Sequence, residues 1–495
     1  MIQSSSEIKR KLFSGIGYRF LATGIANVFS IARMLVVVRL FSPADLGVTG
    51  LAWSYMSIMM RFVNFGFRES YIRSVEDSED VYNASFTLSL MLGLLLCVVG
   101  YTISYLVGYF SGDFEVAHSM RTLSFMPLIF CAQIPTARLE KELNFTKAFI
   151  PEIMNSFGMF IAPIIAVYVL DLSGVDGLLS SYIVGFILST ITALLITSRM
   201  PRILVDPELF RRFLKFGVPF SLNGLLGHII MTGDNMIVGN ICSTETLGYY
   251  RVAKTLPQTC VGLVSHLENM MLPVFASAVK IKDRFRTVWE GTCHLWTTCV
   301  SPIFLFVVIL APVLVNVLYG SEWTLTIPAL RWIALAYALQ FAFASGHGNV
   351  AITKGRMPYL MKWSIVQAIL LVIVGSYLAH ILGLAGAGLV WFVQALIWIV
   401  PVRLPLIKSE IGNLACLRIS VTPFVCALVS AILIFPVPYV ITDDCYALVI
   451  GAVTYIGLYF ILVMTFDKRS NLLFKDIRSY ILPASLYQQK RSYGD

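Results

Sequence analysis

The chain has 495 residues, of which 57% are hydrophobic and only 13% charged; a soluble domain carries about a quarter charged residues, so a soluble protein able to cover its own surface is excluded. The 37 Lys and Arg exceed the 28 Asp and Glu to give a net charge of +9, but the bases sit mostly in short loops between apolar blocks. That placement reads as membrane orientation and contact with anionic lipid, not as nucleic-acid binding.

The apolar blocks run to ~20 residues, the length at which a helix rising 1.5 Å per residue crosses about 30 Å of hydrocarbon. Fourteen spans are predicted, at roughly 12–38, 46–66, 84–107, 119–137, 148–170, 176–198, 213–239, 247–273, 291–318, 324–350, 360–381, 384–404, 417–440 and 446–466. The polar, basic start meets the first block without a small-residue cleavage site, so no cleavable signal peptide is expected. Prolines within spans, among them Pro163, Pro257, Pro302 and Pro312, are tolerated where a neighbouring helix or wet cavity satisfies the freed carbonyls. The nine cysteines follow no C-x-x-C spacing and mostly lie in apolar blocks, as small packing residues do; Cys242 and Cys445, in loops assigned to the outside, are the one pair placed for a disulfide.

Loop charge alternates in phase with this count. With the N-terminus in the cytoplasm, one side collects Lys9, Arg10, Arg68, Arg138, Lys141, Arg199, Arg211, Arg212, Lys282, Arg286, Lys354, Arg356, Arg403 and Lys408. The other side holds acids such as Asp113, Asp171, Glu245, Glu322 and Asp443. A missed or invented span would scramble the alternation, so an even number of spans with both termini inside is expected.

The sequence also repeats. Glu7 to Phe13 matches Glu208 to Leu214 at an offset of 201, and the same offset pairs Ser42 with Ser243, Leu46-Gly47 with Leu247-Gly248 and Ala52 with Ala253. An even number of spans separates the copies, so they share one orientation. The expected architecture is all-α, with an N-lobe over 1–200, a C-lobe over 201–405, two appended spans over 406–466 and a cytoplasmic tail over 467–495. Both repeat starts read as amphipathic helices on the cytoplasmic surface. Asp206 is the cap, Pro207 takes the first turn, and Leu209, Phe210, Phe213 and Leu214 face lipid beside Arg211, Arg212 and Lys215.

Charge inside a span is costly unless it meets water or a partner. In the first span Arg19, Thr23, Ser30 and Arg33 fall on one face; in the second Ser54, Ser57 and Arg61 do, with Asn64 at the edge. The eighth span repeats the pattern with Arg251, Lys254, Thr255 and Gln258, and the seventh offers His228, Asp234 and Asn235. Facing one another, these stripes would line a basic, hydrated cavity whose guanidinium groups suit phosphate oxygens. Arg19, Arg33, Arg61, Arg251 and Lys254 are the candidates for an anionic headgroup. Thr23, Ser30, Ser54, Ser57, Asn64, Asn235, Thr255 and Gln258 are the polar lining. Against this stands anchoring at the membrane surface, which suits Arg39 and Arg121 better. Asp234 and Glu268 are the candidate binders of a coupling H⁺ or Na⁺; the competing reading is a structural ion pair, for instance between Asp234 and Arg33. Trp53, Tyr249, Tyr250 and Trp323 read as an interfacial aromatic belt. No P-loop, G-x-S-x-G, Rossmann or zinc pattern occurs, so neither a cofactor nor an enzymatic activity is expected.

The run Arg39-Leu-Phe-Ser-Pro-Ala-Asp-Leu-Gly47, followed by an apolar span and Gly66-Phe67, resembles the opening of Wzx-type polysaccharide flippases, nearest the WzxC-like branch of the MOP flippase superfamily. The resemblance implies a bacterial inner-membrane protein that moves undecaprenyl-pyrophosphate-linked oligosaccharide units from the cytoplasmic to the periplasmic leaflet by alternating access. It implies a cationic cavity between spans one, two, seven and eight, membrane lipids as surroundings, and polysaccharide polymerase or export machinery as partners. Some peptidoglycan-precursor relatives bind a cation through acids on spans seven and eleven. Here span seven has Asp234, but span eleven has only Gln367. Two other readings compete: a multidrug cation antiporter of the same fold, whose cargo wants an acidic cavity, and a polysaccharide polymerase or ligase, which wants a large outer loop.

Overall fold

The computed structural model describes residues 5–470 apart from 65, 74–78, 143, 198, 280 and 411–414. Every regular element among them is helical. Among the described residues, nine stretches are long and apolar enough to cross a membrane, and one of these, 357–410, is 54 residues long. That stretch breaks at Gly383, whose φ of 54° and ψ of −130° leave the helical region; only glycine adopts such angles without strain. Four further helical stretches at predicted spans fall outside the nine: Pro43–Asn64, Pro207–Ile241, Thr244–Met270, and the broken run from Phe114 to Lys141. These carry the charges and polar stripes, which lowers their hydropathy.

Packing divides the chain into two compact units, Met1–His266 with Lys362–Val390, and Leu267–Met361 with Trp391–Asp495. The repeat boundary near residue 200 is a boundary of sequence symmetry, and it falls inside the first unit.

In the first unit the Ile150–Tyr168 and Gly174–Ile196 helices cross closely because Gly158 lies against Gly185; a Cβ at Gly158 would sit 2.9 Å from the Gly185 Cα. Small residues let helix backbones approach in this way where lipid offers no hydrophobic drive. At the charged end, Arg68 grips Glu140 with one nitrogen at 2.6 and 2.5 Å from its two oxygens, and Arg138 bonds Glu79 and Glu142, each at 3.0 Å. Beneath these, Phe67, Tyr71, Tyr82, Ile134 and Phe213 form a buried cluster.

Asp206 caps the Pro207–Ile241 helix as expected, accepting from the Glu208 and Leu209 amides at 2.9 and 3.1 Å. The predicted amphipathic start is not a separate surface helix, however: it runs unbroken into the span. Phe213 is 2% exposed within the buried cluster, and Leu209 and Phe210 pack against it. These three meet protein instead of lipid, whereas Leu214, the fourth residue of the predicted face, is exposed. The matching start at Glu7 is helical, but its side chains lie outside the described residues, as does the tail from 471 on.

In the second unit the Ser301–Leu318 and Ile327–Phe343 helices pack through Phe304, stacked on Phe341 at 5.6 Å and tilted against Tyr337 at 5.5 Å. Pro302 has no amide to donate, which frees the carbonyl of Thr298 four residues back. The Tyr459 hydroxyl donates to that carbonyl at 2.7 Å, and Tyr455 donates to the Pro302 carbonyl at 2.9 Å. The kink is satisfied by a neighbouring helix, as a membrane interior requires. At the end of the Asp444–Phe466 helix, His294 and Ser470 bond one oxygen of Asp467 at 2.7 and 2.6 Å. Burial pushes this carboxyl up, but the bonds from Ser470 and His294 outweigh it and hold Asp467 below its ordinary range.

Two further expectations are corrected here. Cys242 and Cys445 are both free thiols. Tyr250 and Trp323 are 0% and 1% exposed, so they are core residues and not an interfacial belt.

Candidate functional site: a polar seam in the first unit

Two helix starts related by the repeat define one end of the site. Ser42 and Asp45 cap each other reciprocally, the Ser42 amide and hydroxyl donating to Asp45 at 2.9 and 2.7 Å. Ser243, the repeat counterpart of Ser42, caps the second start, its hydroxyl accepting from the Thr246 amide at 3.0 Å. These caps bring Gly47 and Gly248 to the crossing of the Pro43–Asn64 and Thr244–Met270 helices. A Cβ at Gly47 would strike the Thr244 carbonyl, and one at Gly248 would strike the Pro43 carbonyl. Each repeat thus presents its glycine to the other's helix start. The end is tight.

Arg251 reinforces it. Its guanidinium lies over Gly50, where any Cβ would collide with it, and donates to the Leu46 carbonyl at 2.6 Å and to the Tyr182 hydroxyl at 3.0 Å. Arg33 approaches the same tyrosine, with its guanidinium carbon 5.1 Å from the ring centroid. Trp53 stacks on Tyr182 at 4.6 Å. Two predicted headgroup arginines therefore converge on one aromatic residue, and its hydroxyl accepts from Arg251.

Further along, the predicted stripes meet each other. Ser54 accepts from Asn235 at 3.4 Å, and Ser57 bonds His228 at 2.9 Å. Tyr55 and Asn240 exchange hydrogen bonds of 3.0 and 2.8 Å. Ser54 and Ser57 are 0% and 5% exposed, so in this conformation they are sealed between helices and do not line a chamber. Hydrogen bonding across the helix interface satisfies polar groups that lipid could not.

Among the described residues, the other end of the seam is open. Gly24, Gly224, Gly227 and Gly262 would each accept a Cβ with nothing within 4 Å. Along the seam as a whole, Ser30 and Arg61 are exposed, and Thr23, Arg33, Asn235, Thr255 and Gln258 are half-buried. Thr255 bonds the Arg251 carbonyl of its own helix at 2.9 Å. Arg19 and Asn64 lie on their helices, but their side chains fall outside the described ones.

Lys254 does not share the fate of the arginines. It is 3% exposed, and its ammonium lies 2.6 Å from Asp234 Oδ2, 3.3 Å from Asn235 Oδ1 and 3.4 Å from the Met231 carbonyl. The Tyr250 hydroxyl donates to the same carboxylate oxygen at 2.6 Å. Asp234 thus sits in a structural ion pair, with Lys254 and not Arg33 as its partner. Glu268 belongs to the second unit. There its carboxylate accepts from the Gly346 amide at 3.2 Å and its carbonyl from Asn349 at 3.0 Å, so it ties down the start of the His347–Thr353 helix.

Two site residues escape a reading of the sequence. Tyr182 lies in an apolar span with no polar stripe to flag it. The only signal for Tyr250 is its place four residues before Lys254, on the same helix face.

Known proteins bear on this architecture in three ways. The WzxC lipopolysaccharide biosynthesis protein of Escherichia coli is 19% identical over 387 residues, 76% of this chain and 77% of that protein. The lipid II flippase MurJ in an inward closed conformation superposes with a TM-score of 0.72 at 15% identity, covering 92% of this chain and 98% of that one. An inward-facing MATE-family multidrug resistance transporter of the MOP superfamily gives 0.62 at 16%, covering 80% and 96%. At such identities the two structures establish the fold, an all-α membrane architecture of the MOP type. The family model described as polysaccharide biosynthesis protein matches residues 36–328, more than half of the chain and the seam's helices from Pro43 to Met270, and the chain belongs to that family.

Proposed function

We propose that the protein flips undecaprenyl-pyrophosphate-linked oligosaccharide units from the cytoplasmic to the periplasmic leaflet, for exopolysaccharide or lipopolysaccharide assembly, by alternating access. The observation that carries this reading is the asymmetry of the seam. The Pro43–Asn64 and Thr244–Met270 helices are locked at one end by the Gly47 and Gly248 contacts, and among the described residues the seam stands open at the other end beside Arg61. With the loop bases facing the cytoplasm, the open end is the inner one.

A sugar–pyrophosphate headgroup cannot be dragged through hydrocarbon unaided. It enters from the cytoplasmic side, meets Arg61 first, and moves toward Arg33 and Arg251 as the outer lock parts. The prenyl chain stays in lipid. Releasing Arg251 from Leu46 and Tyr182 opens the outer end and frees a guanidinium for the pyrophosphate in the same movement. The headgroup thereby supplies differential affinity for the outward state, which a ligand must have to shift such an equilibrium.

The fourteen-span topology belongs to the same proposal. Counting the 54-residue stretch as two crossings and adding the four polar helical stretches brings the nine to fourteen. Both termini then lie in the cytoplasm and the protein sits in the bacterial inner membrane, where it hands its product to polymerase or export machinery. A multidrug antiporter would want an acidic seam; among the described residues of this one, the exposed ionic group is Arg61.

The test is a deletion strain. It should accumulate lipid-linked repeat units on the cytoplasmic leaflet and lose the polysaccharide, with both restored by the wild-type gene. Normal periplasmic delivery in that strain would refute the reading.

A further inference from the structure

Asp234 is a carboxylate inside a membrane span, and the fit of a soluble cation beside it can be judged from the residues present. A hard cation is held by a shell of oxygens. Three oxygens do converge in the first unit: the Asp234 carboxylate, the Asn235 side-chain amide and the Met231 carbonyl. All three face the Lys254 ammonium, at 2.6, 3.3 and 3.4 Å. On its other side Asp234 borders a small cleft lined by Ile237, Leu371, Gly375, Ala379, Ala387 and Val390. None of those six side chains carries an oxygen. The site does not fit an ion from solution.

We propose that Lys254 is a built-in cation: its ammonium occupies the place of a coupling ion, so that Asp234 takes none from solution. The ammonium sits among the oxygens that would face such an ion. The charge is on a tether, anchored four residues from Tyr250 on the same helix, and Tyr250 in turn bonds the carboxylate at 2.6 Å. Lys254 and Asp234 are 3% and 4% exposed, which bars exchange with bulk cations while the pair is intact. The pair also joins the two helices of the second repeat, 207–241 and 244–270, independently of ion concentration. In the first repeat the matched positions are Arg33 and Trp53, so the device belongs to one repeat only. Transport by this chain then draws nothing from a sodium gradient at this acid.

The test reads ion binding and not export, so its outcome is separate from that of the transport reading. Purified full-length protein in detergent is unfolded thermally in NaCl, KCl and choline chloride at equal ionic strength. The wild type should melt at the same temperature in all three. Lys254→Ala, which vacates the oxygens, should melt several degrees higher in NaCl than in choline chloride, and Asp234→Asn combined with Lys254→Met should lose that dependence. Sodium stabilisation of the wild type that Asp234→Asn removes would overturn the proposal, as would a Lys254→Ala protein indifferent to the cation. Should Lys254→Ala fail to fold, binding of radioactive ²²Na⁺ to the wild type and to Asp234→Asn decides: equal background in both supports a tethered cation, and specific binding lost in Asp234→Asn excludes it.

Discussion

Gly47 and Gly248, 201 residues apart in sequence, make the same contact from opposite sides. Each lies against the backbone carbonyl that begins the other's helix, Thr244 for Gly47 and Pro43 for Gly248, so closely that neither has room for a Cβ. A repeat detected as a string of matched letters therefore becomes a two-fold closure. The sequence match and the packing describe one feature.

Gly47→Ala and Gly248→Ala should each force this crossing apart. Both should reduce polysaccharide export by roughly tenfold or more, because overpacking a tight contact typically costs about 1–3 kcal/mol. Gly24→Ala and Gly262→Ala, where a Cβ meets open space, should leave export close to wild type. Surface polysaccharide measured at matched protein levels checks all four.

Arg61→Ala and Arg33→Ala should impair export at normal protein levels without lowering the amount of protein in the membrane. Arg61 is exposed at the open end, where truncation leaves no cavity behind. Export at the wild-type rate in both variants would remove them from the mechanism.

Arg251→Lys keeps the charge but should not keep the lock. One ammonium cannot reach both the Leu46 carbonyl and the Tyr182 hydroxyl as the guanidinium does. Loss of one such bond to a charged donor is worth about 1.5–3 kcal/mol. The outer end should become more accessible to membrane-impermeant thiol reagents at a cysteine placed nearby, and Tyr182→Phe should give a smaller shift in the same direction.

Tyr459→Phe should lower the melting temperature by a few degrees. It leaves the Thr298 carbonyl, already deprived of its helical donor by Pro302, without the Tyr459 hydroxyl, at a cost of about 1–3 kcal/mol. Thermal unfolding of the purified protein checks this.

Asp467→Asn should destabilise the second unit at neutral pH, and the difference should shrink in acid. The Asp467 carboxyl is held below its ordinary range in the folded state, net of burial, by Ser470 and His294. A depressed carboxyl contributes stability above its unfolded value, near 4, that is lost as pH falls through the lower folded value. Melting temperatures of the two proteins should therefore converge below about pH 4.

Much of this is legible in the sequence because membranes simplify the rules. Apolar length gives helices, and capping chemistry gives Asp206 its place. Period 3.6 puts Ser54, Ser57 and Arg61 on one face and His228, Asp234 and Asn235 on another. A stripe, however, states which face is polar and not what it meets. Ser54 and Ser57 meet Asn235 and His228 and are buried. Asp234 meets Lys254, twenty residues on, and not Arg33, because the tight turn at Ser243 lays the 207–241 and 244–270 helices side by side. Phe213 reads as lipid-facing on the strength of its amphipathic face, yet apolar residues beside basic ones look the same whether they enter a bilayer or a protein core. Tyr182 is invisible. A tyrosine among the scattered serines and threonines of an apolar span stands out in no pattern, and its meaning comes from the two arginines brought to it.

The most direct test of the transport account is reconstitution of the purified chain into liposomes carrying a labelled undecaprenyl-pyrophosphate oligosaccharide in one leaflet. The account predicts protein-dependent transfer to the opposite leaflet, strongly reduced by Arg61→Ala. Transfer no faster than in protein-free liposomes, or equally fast without Arg61, would contradict it.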